Sequence, residues 1–407
     1  MMPKKLWKNF SAAPHRVMFF GGAMQVVAVM MWWVLEMTTR YGVIGHPMVW
    51  PIAPGAIHAY LMIYGLFPFF IFGFLMTTFP RWMNCAEITA KRYIPAFLLF
   101  MLGAVCFYAG LLAGKWLLIV ATLCALAGWG IALYALLRVL FGARHPDKSH
   151  PLVLLIALGM GWCGLAAYPG WLLSDNVTYL NFSIQCGLWL FLAPVFASVA
   201  HRMIPFFTAS ALPGHVVPRP LLPWWIMLAA GAAHGIMKLA NAETWLWVCD
   251  VPFAVAALYL SYVWGLRDSL RIPLLGVLHI GFAWMGVAML LFSVQSLLLF
   301  LGHDAIWGLA PLHALTIGCY ATLIIGMGTR VTLGHSGLPM KADRTTGLMF
   351  AGIQLVVLMR VTADMLPMNG NYRLYIAAGA VWLVSFIPWV LRYLPFYWRP
   401  RADGQAG

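Results

Sequence analysis

HALTIGCYATLIIGMGTRVTLGHSGLP, residues 313–339, decides how this chain is read. It begins as an apolar helix with one histidine, His313, near its start. The pattern predicts a break at Gly328-Thr329-Arg330, and His335 follows inside the glycine- and proline-flanked segment 334–339. As one membrane helix over 313–329, at ~1.5 Å per residue, this stretch puts His313 roughly 25 Å from its exit. His313 and His335 then face opposite sides of a bilayer, out of reach of one metal ion. An intramembrane histidine needs a partner and marks a candidate site; a hydrogen bond to a neighbouring helix satisfies it equally well.

The rest of the chain has the same character. Of 407 residues, 63% are hydrophobic and 9% charged, against about 25% charged in ordinary soluble chains. Long apolar runs separated by short basic clusters define an all-α, polytopic integral membrane protein. About twelve transmembrane helices are expected, over residues 17–37, 57–79, 94–113, 116–138, 152–173, 180–200, 222–240, 245–265, 273–300, 307–329, 346–366 and 374–394. They form a single membrane domain, 1–407. Lys4, Lys5 and Lys8 lead into a full-length apolar span rather than a cleavable signal. Alternate loops hold 20 of the 25 basic residues, which places the N- and C-termini in the cytoplasm. The net charge of +14 therefore reflects topology rather than nucleic-acid binding, since the basic residues are scattered through short loops. The seven cysteines form no CxxC motif and read as small packing residues, not as disulfides or an iron–sulfur site.

Three inner loops share a theme, an Arg at the helix exit followed by turn-formers: TTFPRW at 77–82, AHRMIPFFTASALPG at 200–214 and GTRVTLGHSGLP at 328–339. Arg capping and snorkelling explain it. Twelve histidines divide by position. His15, His46, His145, His150, His215 and His303 are assigned to loops; His58, His234, His279 and His313 to spans; His201 and His335 to inner exits. Helical rise gives His58, His313 and His234 a common depth in the outer half, which allows one cluster there, with His279 nearer the inner side. Neutral imidazole is a ligand for copper and haem iron, so the candidate metal ligands are His313, His58, His279, His335, His234 and His201. Glu36, Asp250 and Asp364 are the carboxylates in or beside spans. Arg360 and Asp364, four apart, share a helix face. They form either a buried structural pair or a contact for a cofactor propionate.

Four segments resemble the NnrS family of bacterial inner-membrane proteins: IHAYLMIYG with GFLMTTFPRW at 57–82, RMIPFFTASAL at 202–212, LHIGFAWMGVAMLL at 278–291, and HALTIG with GTRVTLGHSGLP at 313–339. The resemblance runs in order over nearly the whole chain. It implies haem b and copper as cofactors, twelve spans, the bacterial cytoplasmic (inner) membrane, and a role in nitrosative stress and denitrification. It matches His58, His279, His313 and His335, with Arg202 and Arg330, to family positions, and makes His313, His58, His279 and Arg360 the candidate cofactor-binding residues. Where the family often reads W-H-x-H-E, this chain has Ile57, Tyr60 and Leu61 around His58. His201 stands where the family has a small residue and is a candidate compensating ligand.

The function this implies is detoxification of nitric oxide, in its enzymatic form a nitric oxide reductase-like reduction to nitrous oxide at a His-ligated metal. Nitric oxide is small and apolar and enters such a site from the lipid bilayer. A quinol or a redox protein would donate the electrons; no sequence feature names it. The alternatives are non-catalytic binding of nitric oxide or iron–nitrosyl species, and secondary transport.

Overall fold

The computed structural model describes residues 4–212, 214, 216–303, 307–366 and 371–404. Helices dominate, and no strand occurs among the described residues. Each expected span coincides with a helix. Ten are long and apolar enough to cross a membrane: Pro14–Arg40, Pro54–Trp82, Ala90–Ala113, Lys115–Gly142, Ser149–Ser174, Val177–Ala211, Pro273–Phe300, Ala310–His335, Arg344–Met365 and Tyr372–Tyr397. The seventh and eighth, Leu221–Leu239 and Trp247–Val263, are shorter apolar helices between the sixth and ninth spans. Proline opens several of these helices, where its missing N–H has no intrahelical partner to lose.

The three stretches expected to leave the membrane as loops are helical instead. The second span runs on to Trp82, the sixth to Ala211 and the tenth to His335. In these last turns threonine hydroxyls donate to carbonyls four residues back: Thr77 to Gly73, Thr208 to Ile204, Thr329 to Ile325 and Thr332 to Gly328. The expected break at Gly328 is therefore absent; Gly328 lies under the Trp389 ring. His313 and His335 end up at the two ends of one helical run, roughly 30 Å apart.

Packing separates inner from outer helices. About 83% and 78% of the most apolar stretches of the second and tenth spans are buried, against 39% in the third, eleventh and twelfth. The twelfth span packs on the first, where Trp382 Nε1 donates to Val26 O. The chain ends meet at the same end of the bundle: Arg16 donates to the carbonyls of Asn9 and Arg399, Asn9 to Trp398, and the Ala402 N–H to Ser336.

The second, sixth and tenth spans share a feature. Each opens as an α-helix, widens into a π-helical stretch, and resumes as α-helix; the π stretches are Leu61–Leu66, Cys186–Leu192 and Ala314–Ala321. Such wide turns are rare and recur at functional sites. Close approach accounts for a glycine in two of them. A Cβ on Gly187 would lie 2.6 Å from the Ile63 side chain, and one on Gly318 2.7 Å from the Trp284 ring.

Candidate functional site

A cavity of about 320 Å³ lies at the end of the bundle away from the chain termini, within the usual range of ~300–1,000 Å³ for ligand pockets. The first span contributes Trp33, the second His58 and Met62, the sixth Leu188, the tenth His313, Thr316 and Ile317, the eleventh Arg360, and the twelfth Tyr375 and Trp382. All three π-helical stretches thus reach it. Its polar side chains include His58, His313, Thr316, Arg360 and Tyr375; most of the remainder is aliphatic or aromatic.

His313 is fixed from behind. Its Nδ1 lies 3.0 Å from Asp364 Oδ2 and 3.0 Å from Leu309 O. Both are acceptors, so Nδ1 carries the proton and Nε2 is left as the ring's donor atom. Asp364 in turn accepts from Arg360 Nη1 at 2.7 Å and from the Tyr375 hydroxyl at 3.1 Å. The Arg360 guanidinium lies 4.1 Å from the Tyr375 ring centre, in cation–π contact. A carboxylate behind a histidine sets its tautomer and orientation in metal sites. The pairing of Arg360 with Asp364 is as the four-residue spacing requires, and it lies on the cavity wall.

His58 stacks on Trp33, ring centres 4.1 Å apart and 22° from parallel. Its Nδ1 is buried with no hydrogen-bond partner. Leaving such a group unpaired costs about 1–3 kcal/mol, which a metal or a further donor would offset. Two imidazoles, one guanidinium and an apolar slot between aromatic walls fit what a haem would need of a protein: an imidazole nitrogen for the iron, a cation for propionates, and a dry surround.

The other candidate histidines lie elsewhere. His279 is buried in the ninth span, with Nε2 2.8 Å from the Thr208 hydroxyl. His335 faces His15, ring centres 4.3 Å apart, near the chain termini. His201 Nδ1 lies 2.9 Å from His150 Nε2, and its own Nε2 lies 3.1 Å from Pro220 O, so both of its nitrogens are engaged. It sits at the far end of the sixth span and does not stand in for the residues replaced beside His58. His234 is separate from His58 and His313 despite its similar depth: its Nδ1 pairs with Asp250 Oδ1 at 2.6 Å. Depth fixes height in the bilayer but not azimuth around the bundle, and the seventh span turns this side chain toward the eighth. His15 and His150, expected in loops, are buried in helices. His215 lies outside the described residues. Arg202 and Arg330 cover the rings of Trp82 and Phe207 at the ends of their helices, away from the cavity.

Sequence reasoning named His58, His313 and Arg360 but missed Trp33 and Tyr375, which carry no motif; for Tyr375 the one signal was the position of Asp364, one turn after Arg360. The chain matches the family described as NnrS protein over residues 9–401. No curated protein matches it.

Proposed function

We propose that this chain, which belongs to the NnrS family, holds a haem b in the cavity between His58 and His313 and detoxifies nitric oxide. Family membership links the protein to the nitric oxide response and to metal or haem binding. The observation that carries the finer reading is the convergence of His58, His313 and Arg360 on one largely apolar cavity.

His313 would offer Nε2 to the iron while Asp364 holds its Nδ1 proton. His58 would line the pocket beside the group rather than ligate it, which leaves a position on the iron for a gas, and Arg360 would face a propionate. When bound, the group would supply an iron that can carry electrons and hold a diatomic gas. The largely apolar lining disfavours water and suits a small apolar gas. Reduction balances as two nitric oxide molecules, two electrons and two protons giving nitrous oxide and water, with electrons from a quinol or redox protein. Copper is the second cofactor in this reading. The protein is a single twelve-span domain of the bacterial cytoplasmic membrane, with both termini inside.

Anaerobic incubation of the purified protein with a reductant and nitric oxide tests turnover. One nitrous oxide per two nitric oxide consumed supports reduction. Stoichiometric uptake without nitrous oxide replaces it with binding alone.

A further inference from the structure

A second constellation of donors lies at the same end of the bundle, outside the cavity. His234, in the last turns of the seventh span, and Cys249 and Asp250, in the first turn of the eighth, are all buried. One potential ligand atom from each lies within 4.8 Å of the other two. The Met237 sulfur is 3.9 Å from the Cys249 sulfur. His234 lies against the Trp189 ring, centres 3.6 Å apart, with Phe292 edge-on at 5.0 Å.

A structural His–Asp pair between packed helices accounts for only part of this. It leaves His234 Nε2 and Asp250 Oδ2 buried without partners; the Cys249 thiol donates to Leu246 O at 3.1 Å and lies 3.5 Å from Asp250 Oδ1, but the pair gives no reason for a thioether on the same spot. A metal ion would gather one His234 nitrogen, an Asp250 oxygen and the two sulfur atoms at one point. We infer that His234, Cys249 and Asp250, with Met237 beside them, form a binding site for one monovalent copper ion. Thiolate and thioether sulfur are soft donors that favour cuprous copper, imidazole suits copper as well, and hard cations prefer all-oxygen sites. Binding would release the Cys249 thiol proton and exchange the His234–Asp250 hydrogen bond for coordination. Trp189 lies in the π-helical stretch of the sixth span, next to Leu188 on the cavity wall. Gly235 lets it seat there, since a Cβ would meet the Trp189 side chain at 2.7 Å.

This deepens the copper half of the proposed function and is independent of the haem. The test supplies the purified full-length chain with copper(I) from a buffered chelate, then reads bound copper by mass spectrometry and its ligands by X-ray absorption. Wild type is expected to bind one copper with sulfur among its ligands. Cys249→Ser and His234→Gln should lower affinity at least tenfold. Met237→Leu, which conserves volume, should weaken binding and remove one sulfur contribution while leaving the fold intact. A wild-type chain that binds no copper overturns both the site and the copper reading. Copper retained at wild-type affinity in all three variants overturns this site and leaves the copper reading standing. Retention of the His313-dependent haem spectrum in the variants separates either result from a failure of the haem proposal.

Discussion

Asp364→Asn isolates the carboxylate behind His313 without changing its volume. In the native chain the carboxylate accepts from His313 Nδ1 at 3.0 Å, Arg360 Nη1 at 2.7 Å and the Tyr375 hydroxyl at 3.1 Å. An asparagine has one acceptor oxygen and one donor nitrogen. If the oxygen keeps the His313 proton, the amide N–H₂ meets the Arg360 guanidinium, donor against donor; if it keeps Arg360, it releases the imidazole. Loss of such a partner behind a ligand lowers metal affinity about 10- to 100-fold, or about 1.4–2.7 kcal/mol. His313→Ala removes the donor itself and should abolish the bound state. The assay is titration of haem-free protein with haemin, followed at the Soret band. Asp343→Asn, on the same helix but at its other end, serves as control. Wild-type affinity in both Asp364→Asn and His313→Ala would refute the assignment of His313 as a ligand.

Three further outcomes follow from the same contacts. Arg360→Lys should weaken haem binding less than Arg360→Ala, because lysine keeps the charge but not the planar fork; the same titration ranks them. Asp343 caps the eleventh span, and its carboxyl is held below the usual range by the Thr346 backbone N–H, aided by Arg392. A depressed folded-state pKa contributes stability above the unfolded pKa of about 4 that is lost as pH falls through the lower folded value. Asp343→Ala should therefore cost about 1 kcal/mol near neutral pH and flatten the acid limb of the melting curve in detergent. Reporter fusions should place both termini in the cytoplasm, as the loop charges require; an exported C-terminus would overturn that topology.

The all-α, multi-pass membrane character was legible because apolar runs of bilayer length have few alternatives. Helix ends were less so: the second, sixth and tenth spans run on to Trp82, Ala211 and His335 through polar and turn-forming residues that hydropathy reads as loop. His313, His58 and Arg360 were legible as candidates, and common depth allowed His58 and His313 to cluster; that Arg360 joins them was not legible, because it depends on which span neighbours which. Rise per residue gave His234 the same depth as His58, but the seventh span directs it to Asp250. The π-helical stretches were invisible because hydropathy registers neither the wider turn nor the packing of spans far apart in sequence, such as Gly187 against Ile63.

Haem content per chain of the purified protein, with its absorption spectrum, tests the central claim most directly. One haem b per chain is expected, lost in His313→Ala, reduced in His58→Ala and retained in His335→Ala. A chain that inserts normally and binds no haem, or whose haem survives His313→Ala with an unchanged spectrum, would contradict the assignment of the cavity.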